Sequence, residues 1–281
     1  MRYLVTGKNG QLARSFLRRF ESSGTDHAAP DENVADITDP VKIRELMTSY
    51  RPDVVINCAA YNLVDRAEED RDTAFKVNAV GPAILAEAAQ ACGAYFVHFG
   101  SDYVFDGSKE TGLYREDDTP NPLSVYGSSK RQGEENALRN NDKSLVLRLS
   151  WVFGEGKQNF IVKLIEWSAR SGPLKVTCDE FSVPTSTETV VDVTLRAVQR
   201  GATGMFHLTN SGYCSRYEWA KLIVKEMGID KFIRPVTMAS FPLPAKRPAF
   251  SAMDNRAIGA LTGISIPSWE DAVRSFLRGH S

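Results

Sequence analysis

The chain has 281 residues, of which 42% are hydrophobic and 25% charged, and its formal net charge at pH 7 is −1. This composition excludes disordered, collagen-like and coiled-coil architectures, and it lacks the basic footprint of a nucleic-acid-binding protein. The length suits one large α/β domain with a second, smaller lobe. No apolar run reaches the roughly 18 residues that span a bilayer. The first predicted strand begins at Arg2, so we expect a cytoplasmic protein without a signal peptide or membrane segment.

Short β-branched or aromatic runs alternate with helical segments along the first half of the chain. These runs are Tyr3–Val5, Val54–Ile56, Tyr95–Val97 and Leu145–Leu147. The alternation predicts a doubly wound α/β fold, a parallel sheet with helices on both faces. We assign residues 1–150 to this domain and the proline-rich remainder, 151–281, to a smaller C-terminal α/β lobe. The segment at about 185–210 is expected to pack back on the sheet.

A glycine-rich turn joins the first strand to a helix predicted from about Gly10 to Phe20. Its sequence is Gly7-Lys8-Asn9-Gly10-Gln11-Leu12-Ala13. Gly7 permits a tight turn, Gly10 lets the backbone approach a pyrophosphate, and Ala13 allows close helix–strand packing. The helix N-terminus offers N–H groups to the anion. This pattern predicts a dinucleotide-binding Rossmann domain. A turn with a purely structural role is the alternative. The residues assigned to the cofactor here are Gly7, Asn9, Gly10, Gln11 and Leu12.

Acidic residues follow the weak second strand. Asp31 and Glu32 lie near the position, about 20 residues beyond the turn, where a ribose-binding acid is expected. They would repel a 2′-phosphate and so favour NADH over NADPH, although a solvated loop explains them equally well. Asp36 and Ile37 are placed to reach the adenine edge. We expect NADH or NADPH as cofactor and no metal, because the cysteines and histidines show no metal-ligand spacing.

Tyr126 and Lys130 are four residues apart, which places both on one face of a helix. A phenol with a pKa of about 10 is a poor acid–base group near neutrality, and an adjacent cation lowers that pKa. Ser101 closes a third strand-like run, at the end of the sheet where ligands bind. Its hydroxyl can hydrogen-bond a carbonyl oxygen. We therefore predict a catalytic site of Ser101, Tyr126 and Lys130.

The motifs occur in a fixed order along the chain: Gly7-x-x-Gly10-x-x-Ala13, Asn57-Cys58-Ala59-Ala60, Ser101-Asp102-Tyr103-Val104-Phe105-Asp106-Gly107 and Tyr126-Gly127-x-x-Lys130. They resemble those of an extended short-chain dehydrogenase/reductase and, more narrowly, the dTDP-4-dehydrorhamnose reductase family. The likeness extends over nearly the whole chain, through Trp151–Gly154, Asn159-Phe160, Pro184–Ser186 and Lys246–Pro248.

The resemblance implies a reaction and a role for each matching residue. A hydride would move from the nicotinamide to C4 of a nucleotide-linked 4-keto-6-deoxyhexose. Tyr126 would protonate the C4 oxygen, Ser101 would hydrogen-bond that oxygen, and Lys130 would hold the nicotinamide ribose. Ala59 and Ala60 would also contact the cofactor. Some members dimerise through magnesium bridged by glutamates, one on the first helix; the segment from Gly10 to Phe20 has no acid, which argues against such a dimer here.

Substrate contacts are assigned mainly beyond residue 150. By resemblance Trp151 lies beside the sugar ring, with a core tryptophan as the alternative. Arg247 is a candidate for the diphosphate because its planar fork matches phosphate oxygens, with a solvated loop as the alternative. Asp102 and Tyr103 follow the catalytic serine, and the motif match assigns Asn159 to the substrate as well.

Two classes of rival function remain open from the sequence. An epimerase or 4,6-dehydratase could share this scaffold, but dehydratases place an acid pair after the catalytic Ser/Thr, where this chain has Asp102-Tyr103. A non-catalytic, dinucleotide-binding regulatory subunit is the other rival. The intact Ser101, Tyr126 and Lys130 argue against it, although fold-level analogy alone does not separate the two.

Overall fold

The structure is a computed structural model that describes residues 1–156 and 159–279. Within those residues the strands are β1 (Tyr3–Thr6), β2 (His27–Ala28), β3 (Val54–Asn57), β4 (Tyr95–Ser101), β5 (Ser144–Leu149), β6 (Val152–Phe153), β7 (Leu174–Thr177), β8 (Phe181–Ser182), β9 (Thr185–Ser186), β10 (Gly204–His207), β11 (Cys214–Ser215) and β12 (Ile233–Val236). The helices are α1 (Gln11–Ser23), α2 (Pro40–Tyr50), α3 (Arg71–Phe75), α4 (Gly81–Ala91), α5 (Val125–Asn140), α6 (Phe160–Ser168), α7 (Thr187–Gln199), α8 (Arg216–Glu226), α9 (Arg256–Thr262) and α10 (Trp269–Arg278).

A parallel sheet forms the centre of the fold, with the strand order β10-β5-β4-β3-β1-β2 among the described residues. Successive residues of a strand point to opposite faces. Val5 and Ile56 accordingly pack with α1 and α7 on one face, whereas Leu4 and Val55 pack with α2 and α4 on the other. The predicted α/β class with a doubly wound parallel sheet is confirmed.

The second half of the chain contributes to both lobes. β10 extends the central sheet beside β5, and α7 packs against α1. A separate core unites Phe153, Leu164 of α6, Trp219 of α8 and Val273 of α10. The polypeptide therefore returns to the first domain after starting the second.

Three local details complete the description of the helices. The first helix runs to Ser23 and so includes Glu21, which is exposed. A π-helical turn, Lys76–Val80, separates α3 from α4 just before Gly81 and Pro82. The N-cap of α7 is Ser186, whose hydroxyl accepts the Thr189 N–H at 3.1 Å.

Candidate active site

The carboxyl ends of four adjacent parallel strands meet at one edge of the sheet. Thr6 of β1 is in register with Asn57 of β3, and Ser101 of β4 with Leu149 of β5. The Thr6 hydroxyl donates to Asn57 Oδ1 at 2.7 Å, and that oxygen also accepts the Ala59 N–H at 3.1 Å. A cleft of about 290 Å³ opens at this edge, as expected for a ligand site in an open α/β sheet.

The glycine turn forms one wall of this cleft. Gly7 has a φ of +69°, and a Cβ on it would lie 2.6 Å from the Ala59 nitrogen. Both the left-handed backbone and the close approach require glycine here. Gly10 is the N-cap of α1, and among the described residues no side chain caps that helix. Its first N–H groups are thus available to an anion, as a dinucleotide pyrophosphate requires.

Gln11 connects the turn to the segment after β5. Its amide nitrogen donates to the Val152 carbonyl at 3.0 Å, whereas its Oε1 is buried without a hydrogen-bond partner in the described part of the chain. A buried acceptor without a partner costs free energy unless a ligand satisfies it. Gln11 and Leu12 line the cleft together with Ala59 and Ala60, so these residues fit a bound dinucleotide.

The other residues assigned to the cofactor lie further out. Asn9 is exposed at the tip of the turn. Asp31, just beyond β2, makes an ion pair with Lys8 of the turn, at 2.8 Å. This pair joins the turn to the loop where a ribose-binding acid is expected.

The side chains of Asp36 and Ile37 both contact neighbouring residues of the first domain. The Asp36 carboxylate accepts the Thr38 N–H and hydroxyl at 2.9 and 2.8 Å, and these bonds lower its pKa. The Ile37 side chain is buried beside α4, where a Cβ on Gly81 would approach it to 2.6 Å. These two side chains stabilise a turn and the core, and their contact with an adenine stays a prediction.

Ser101, Tyr126 and Lys130 converge at the floor of the cleft. Ser101 ends β4, and α5 begins at Val125 with Ser124 as its N-cap, so Tyr126 lies in the first turn of that helix. The Ser101 hydroxyl donates to Asp102 Oδ1 at 3.4 Å and accepts the Tyr103 N–H at 3.2 Å, and it lies near enough to the Tyr126 phenol to lower the pKa of that group. The Lys130 ammonium donates to the Phe99 carbonyl at 2.7 Å. The fold thus brings together the three side chains that the sequence pattern singled out.

The electrostatics of Tyr126 differ from the expectation that the lysine lowers its pKa. Burial raises the pKa of Tyr126 to about 12, and the nearby Ser101 hydroxyl offsets only part of that rise. Burial also lowers the pKa of Lys130 to about 8. In this arrangement desolvation outweighs charge pairing. The phenol is therefore protonated at neutral pH, which is the form that a proton donor needs.

The Asp102 carboxylate is hydrogen-bonded to three serine side chains of the protein. It is 3% exposed, and its Oδ2 accepts three serine hydroxyls, from Ser150 at 3.0 Å, Ser182 at 2.8 Å and Ser251 at 2.6 Å. These serines come from both lobes. Asp102 borders the cleft and its carboxylate connects the lobes, and its contact with a substrate stays a prediction.

Trp151 stands between the cleft and a larger cavity of about 740 Å³ in the second lobe. Its φ of +38° lies in the left-handed region, which is strained for a bulky residue. The Arg216 guanidinium lies 3.7 Å from the centre of its ring, and Trp219 stacks with it at 5.8 Å. Tyr103 also lines the cleft, edge-on to Tyr126 with ring centres 5.8 Å apart.

Asn159 borders the larger cavity but is the N-cap of α6. Its Oδ1 accepts the Val162 N–H at 3.1 Å, and its amide donates to the Gly154 and Gly156 carbonyls at 2.7 and 3.1 Å. The residue is 3% exposed. Its polar atoms hold the loop before α6, and its contact with a substrate stays a prediction.

Arg247 is paired with a residue of the first domain. Its guanidinium makes two hydrogen bonds to Asp65, at 2.9 and 2.7 Å, and a third to the Ala245 carbonyl at 3.0 Å. The pairing lowers the pKa of Asp65. The planar fork that suggested a phosphate ligand is occupied by a carboxylate, and the pair links the two lobes across the rim of the cavity.

The wall of the larger cavity carries cations that the sequence patterns did not indicate. Arg216 contributes, with its partner Glu180 at 3.4 Å, and so do Lys163, Arg170 and Lys175. They come from α6, the loop after it, β7 and α8, and no short motif unites them. Only the fold brings them together, and their charge suits an anionic ligand.

Comparison with known proteins gives a consistent result. The family model described as "RmlD substrate binding domain" matches residues 1–281. A crystal structure of a dTDP-4-dehydrorhamnose reductase from Clostridium acetobutylicum superposes with a TM-score of 0.96, at 36% identity, covering 100% of this chain and 99% of that one. The chain belongs to the dTDP-4-dehydrorhamnose reductase family.

Two further relatives bear on the chemistry of this reductase family. A dTDP-4-dehydrorhamnose reductase from Bacillus anthracis, solved in complex with NADP, superposes with a TM-score of 0.94 at 31% identity, covering 99% of both chains. A probable dTDP-4,6-dihydroxy-2-methyloxan-3-one 4-ketoreductase from Streptomyces antibioticus is 36% identical over 278 residues, covering 98% of this chain and 94% of that protein. The sequence-based expectation of the family is confirmed, and the epimerase, dehydratase and regulatory alternatives are not favoured.

The described residues contain neither a metal-binding cluster nor a membrane-spanning helix. Between residues 1–156 and 159–279, no group of three or more His, Cys, Asp and Glu side chains is arranged to hold a metal ion. Near the first helix, Glu188 and Asp192 of α7 are instead paired with Arg18 and Arg19. Across the same ranges, no helix is long and apolar enough to cross a membrane.

Proposed function

We propose that this chain reduces the C4 keto group of a nucleotide-linked 4-keto-6-deoxyhexose, and that the reaction is dTDP-4-dehydro-L-rhamnose to dTDP-L-rhamnose. The observation that carries the proposal is that Ser101, Tyr126 and Lys130 line one cleft, which the glycine turn also lines. The product would serve the synthesis of cell-surface polysaccharide in the cytoplasm, and nucleic acid and membrane have no part in the reaction.

The cofactor proposed is NADH or NADPH. The N-terminus of α1 would hold its pyrophosphate, Gln11, Leu12, Ala59 and Ala60 would line its path, and Lys130 would hold its nicotinamide ribose. When bound, the reduced nicotinamide supplies the hydride for C4. The NADP complex of the Bacillus anthracis relative supports this choice.

Tyr126 is the proposed proton donor. Its raised pKa keeps the phenol protonated at neutral pH. As C4 gains a hydride its oxygen becomes an alkoxide, a stronger base than a phenolate, so proton transfer from the phenol is favourable. Ser101, which lines the same cleft, would donate a hydrogen bond to the same oxygen and stabilise its developing charge.

The sugar nucleotide would extend from the cleft into the larger cavity past Trp151. The diphosphate carries negative charge, and Lys163, Arg170 and Lys175 lie on the cavity wall. Among the described residues none of these three is engaged in an ion pair, which leaves them available to phosphate oxygens. The Streptomyces antibioticus relative supports 4-keto reduction of a dTDP-linked sugar as the reaction class.

The direct test is to mix the purified protein with NADH or NADPH and dTDP-4-dehydro-L-rhamnose and to follow cofactor oxidation. We expect turnover that disappears in Tyr126→Phe while that variant still binds the cofactor. Absence of turnover by the wild-type protein with both cofactors would contradict the proposal.

A further inference from the structure

A buried ion pair lies directly behind the catalytic side chains. Arg148 of β5 approaches Glu134 Oε2 of α5 through its Nε at 3.0 Å and its NH2 at 2.9 Å, and the two side chains are only 5% and 1% exposed. Burying two charges costs about as much as their attraction returns, so such a pair is weak evidence of a purely stabilising role. Its location next to the cleft suggests a functional one.

The second oxygen of Glu134 is bonded to the residue that carries the catalytic hydroxyl. Glu134 Oε1 accepts the backbone N–H of Ser101 at 3.2 Å. A Cβ built on Gly100 would lie 2.1 Å from that oxygen and 3.0 Å from Arg148 Cγ. The carboxylate is therefore packed directly against the end of β4, where only glycine leaves room for it.

Glu134 also lies one helical turn beyond Lys130, on the same face of α5. Lys130 is 4% exposed. Burial lowers the pKa of its ammonium to about 8, and the Glu134 carboxylate acts in the opposite direction and raises it. The Glu134 carboxylate thus holds the Ser101 backbone by a hydrogen bond and stabilises the Lys130 ammonium by its negative charge.

Other charged and titratable groups surround this assembly on every side. His98 of β4 is buried with a pKa lowered by burial and by Lys130. His207 of β10 lies 3.5 Å from Arg148 NH1, and burial lowers its pKa to about 3. Asp102 acts on Tyr126 and raises its pKa. Both histidines are therefore neutral near pH 7, and the carboxylate that acts on Lys130 is that of Glu134.

We propose that Glu134, held in place by Arg148, is a positioning residue that fixes the backbone of Ser101 and keeps buried Lys130 in its ammonium form. The role of Lys130 in holding the nicotinamide ribose comes from the proposed function, on which this inference rests. A neutral residue at position 134 would leave two buried cations without their shared partner. Lys130 would then lose its proton at lower pH, and the cofactor would lose a donor.

The test compares wild type with Glu134→Gln, which is nearly isosteric and keeps an acceptor for the Ser101 N–H. Binding of NADH is followed by quenching of protein fluorescence across a pH series, in the absence of sugar. Wild-type affinity should fall as pH rises through about 8, the pKa of Lys130. In Glu134→Gln that fall should move to lower pH by about one pH unit or more.

A matched control is available on the same helix. Glu135 is exposed and pairs with Arg131 at 3.0 Å, one turn away. Glu135→Gln removes the same charge from the same helix, and its binding profile should coincide with that of wild type. A shift in this control as large as that of Glu134→Gln would mean that the effect is unspecific and would overturn the inference.

A second variant addresses loss of stability in Glu134→Gln, because removing one partner of a buried pair leaves the other uncompensated. Glu134→Gln with Arg148→Met removes both charges and should fold, with the shift to lower pH retained. An unshifted profile in either variant, or a wild-type affinity that does not fall in alkaline solution, would overturn the inference. If the shift occurs but wild type reduces no 4-keto sugar nucleotide, the proposed function fails while the effect of Glu134 on Lys130 stands.

Discussion

The edge of the sheet formed by the carboxyl ends of its strands, which we call the catalytic edge for its proposed role, differs in construction from the cavity of the second lobe. At the edge, Ser101, Tyr126 and Lys130 point into one cleft, and each is positioned by the strand or helix that carries it. In the second lobe, the polar atoms of Asn159 and Arg247 form hydrogen bonds with other residues of the protein. Local motifs thus place the proposed reacting groups, whereas contacts between distant segments shape the cavity of the second lobe.

The largest effect is expected from removing the proton donor. Tyr126→Phe deletes the hydroxyl and leaves the ring against Tyr103, so the rate should fall by roughly 10²–10⁴-fold. Stopped-flow cofactor oxidation measures this, and the affinity for cofactor serves as the control because it should change little. A variant that keeps most of its turnover would break the claim that the catalytic edge carries the chemistry.

The next effect concerns the wall of the cleft. Gly7→Ala places a Cβ 2.6 Å from the Ala59 nitrogen in a backbone with φ +69°. We expect a loss of more than about 1 kcal/mol in the free energy of unfolding, together with loss of cofactor binding. Thermal unfolding and an NADH titration measure the two effects. The control is Gly24→Ala, which has a similar φ of +65° but nothing within 4 Å of its Cβ, so it should lose stability without losing cofactor affinity.

A smaller effect is expected at the link between the lobes. Arg247→Met removes the guanidinium that binds Asp65, and we expect KM for the sugar nucleotide to rise about fivefold, the equivalent of about 1 kcal/mol for a partly exposed pair. Lys246→Met, at the exposed neighbouring position, should change KM less.

Asp65→Asn tests the same ion pair from its acidic side. If the pair links the lobes, this substitution should raise KM as Arg247→Met does. If Arg247 instead binds the diphosphate, freeing it from Asp65 should lower KM. Steady-state kinetics at two salt concentrations distinguishes these outcomes, and a lower KM would contradict the assignment of Arg247 as a link between lobes.

An effect of similar size concerns the choice of cofactor. Asp31 pairs with Lys8 at the surface, and Asp31→Asn would remove a charge that repels a 2′-phosphate and release the ammonium. We expect the ratio of kcat/KM for NADPH to that for NADH to rise roughly threefold to tenfold, less at high salt. Glu32→Gln is the control, and an unchanged ratio in Asp31→Asn would place the ribose elsewhere.

The convergence of Ser101, Tyr126 and Lys130 could be predicted from the sequence because its signals are local. A glycine turn between strand and helix, a serine that ends a strand, and a tyrosine and lysine one turn apart each fix their own geometry within a few residues. The direction of the Tyr126 pKa was missed because desolvation depends on burial by segments far away in sequence. The partners of Asp102, three serines between positions 150 and 251, were missed for the same reason.

The substrate side was only partly predictable. A proline-flanked arginine is typical of both a phosphate ligand and a structural pair, and only the fold shows Asp65 opposite Arg247. The cations Lys163, Arg170 and Lys175 belong to no motif, since they come from neighbouring elements of the second lobe. The burial of the Ile37 side chain in the core beside α4 was not predictable either, because α4 is distant in sequence.

The central claim is that hydride and proton are delivered to C4 of a keto sugar at the catalytic edge. Its most direct test is to incubate the protein with NADH deuterated at the transferable C4 position and dTDP-4-dehydro-L-rhamnose, and to locate the deuterium by NMR. We predict that the label appears at C4 of the hexose in the wild-type product and that Tyr126→Phe forms almost none. Deuterium at another carbon of the sugar, or a label that never leaves the cofactor, would contradict the account.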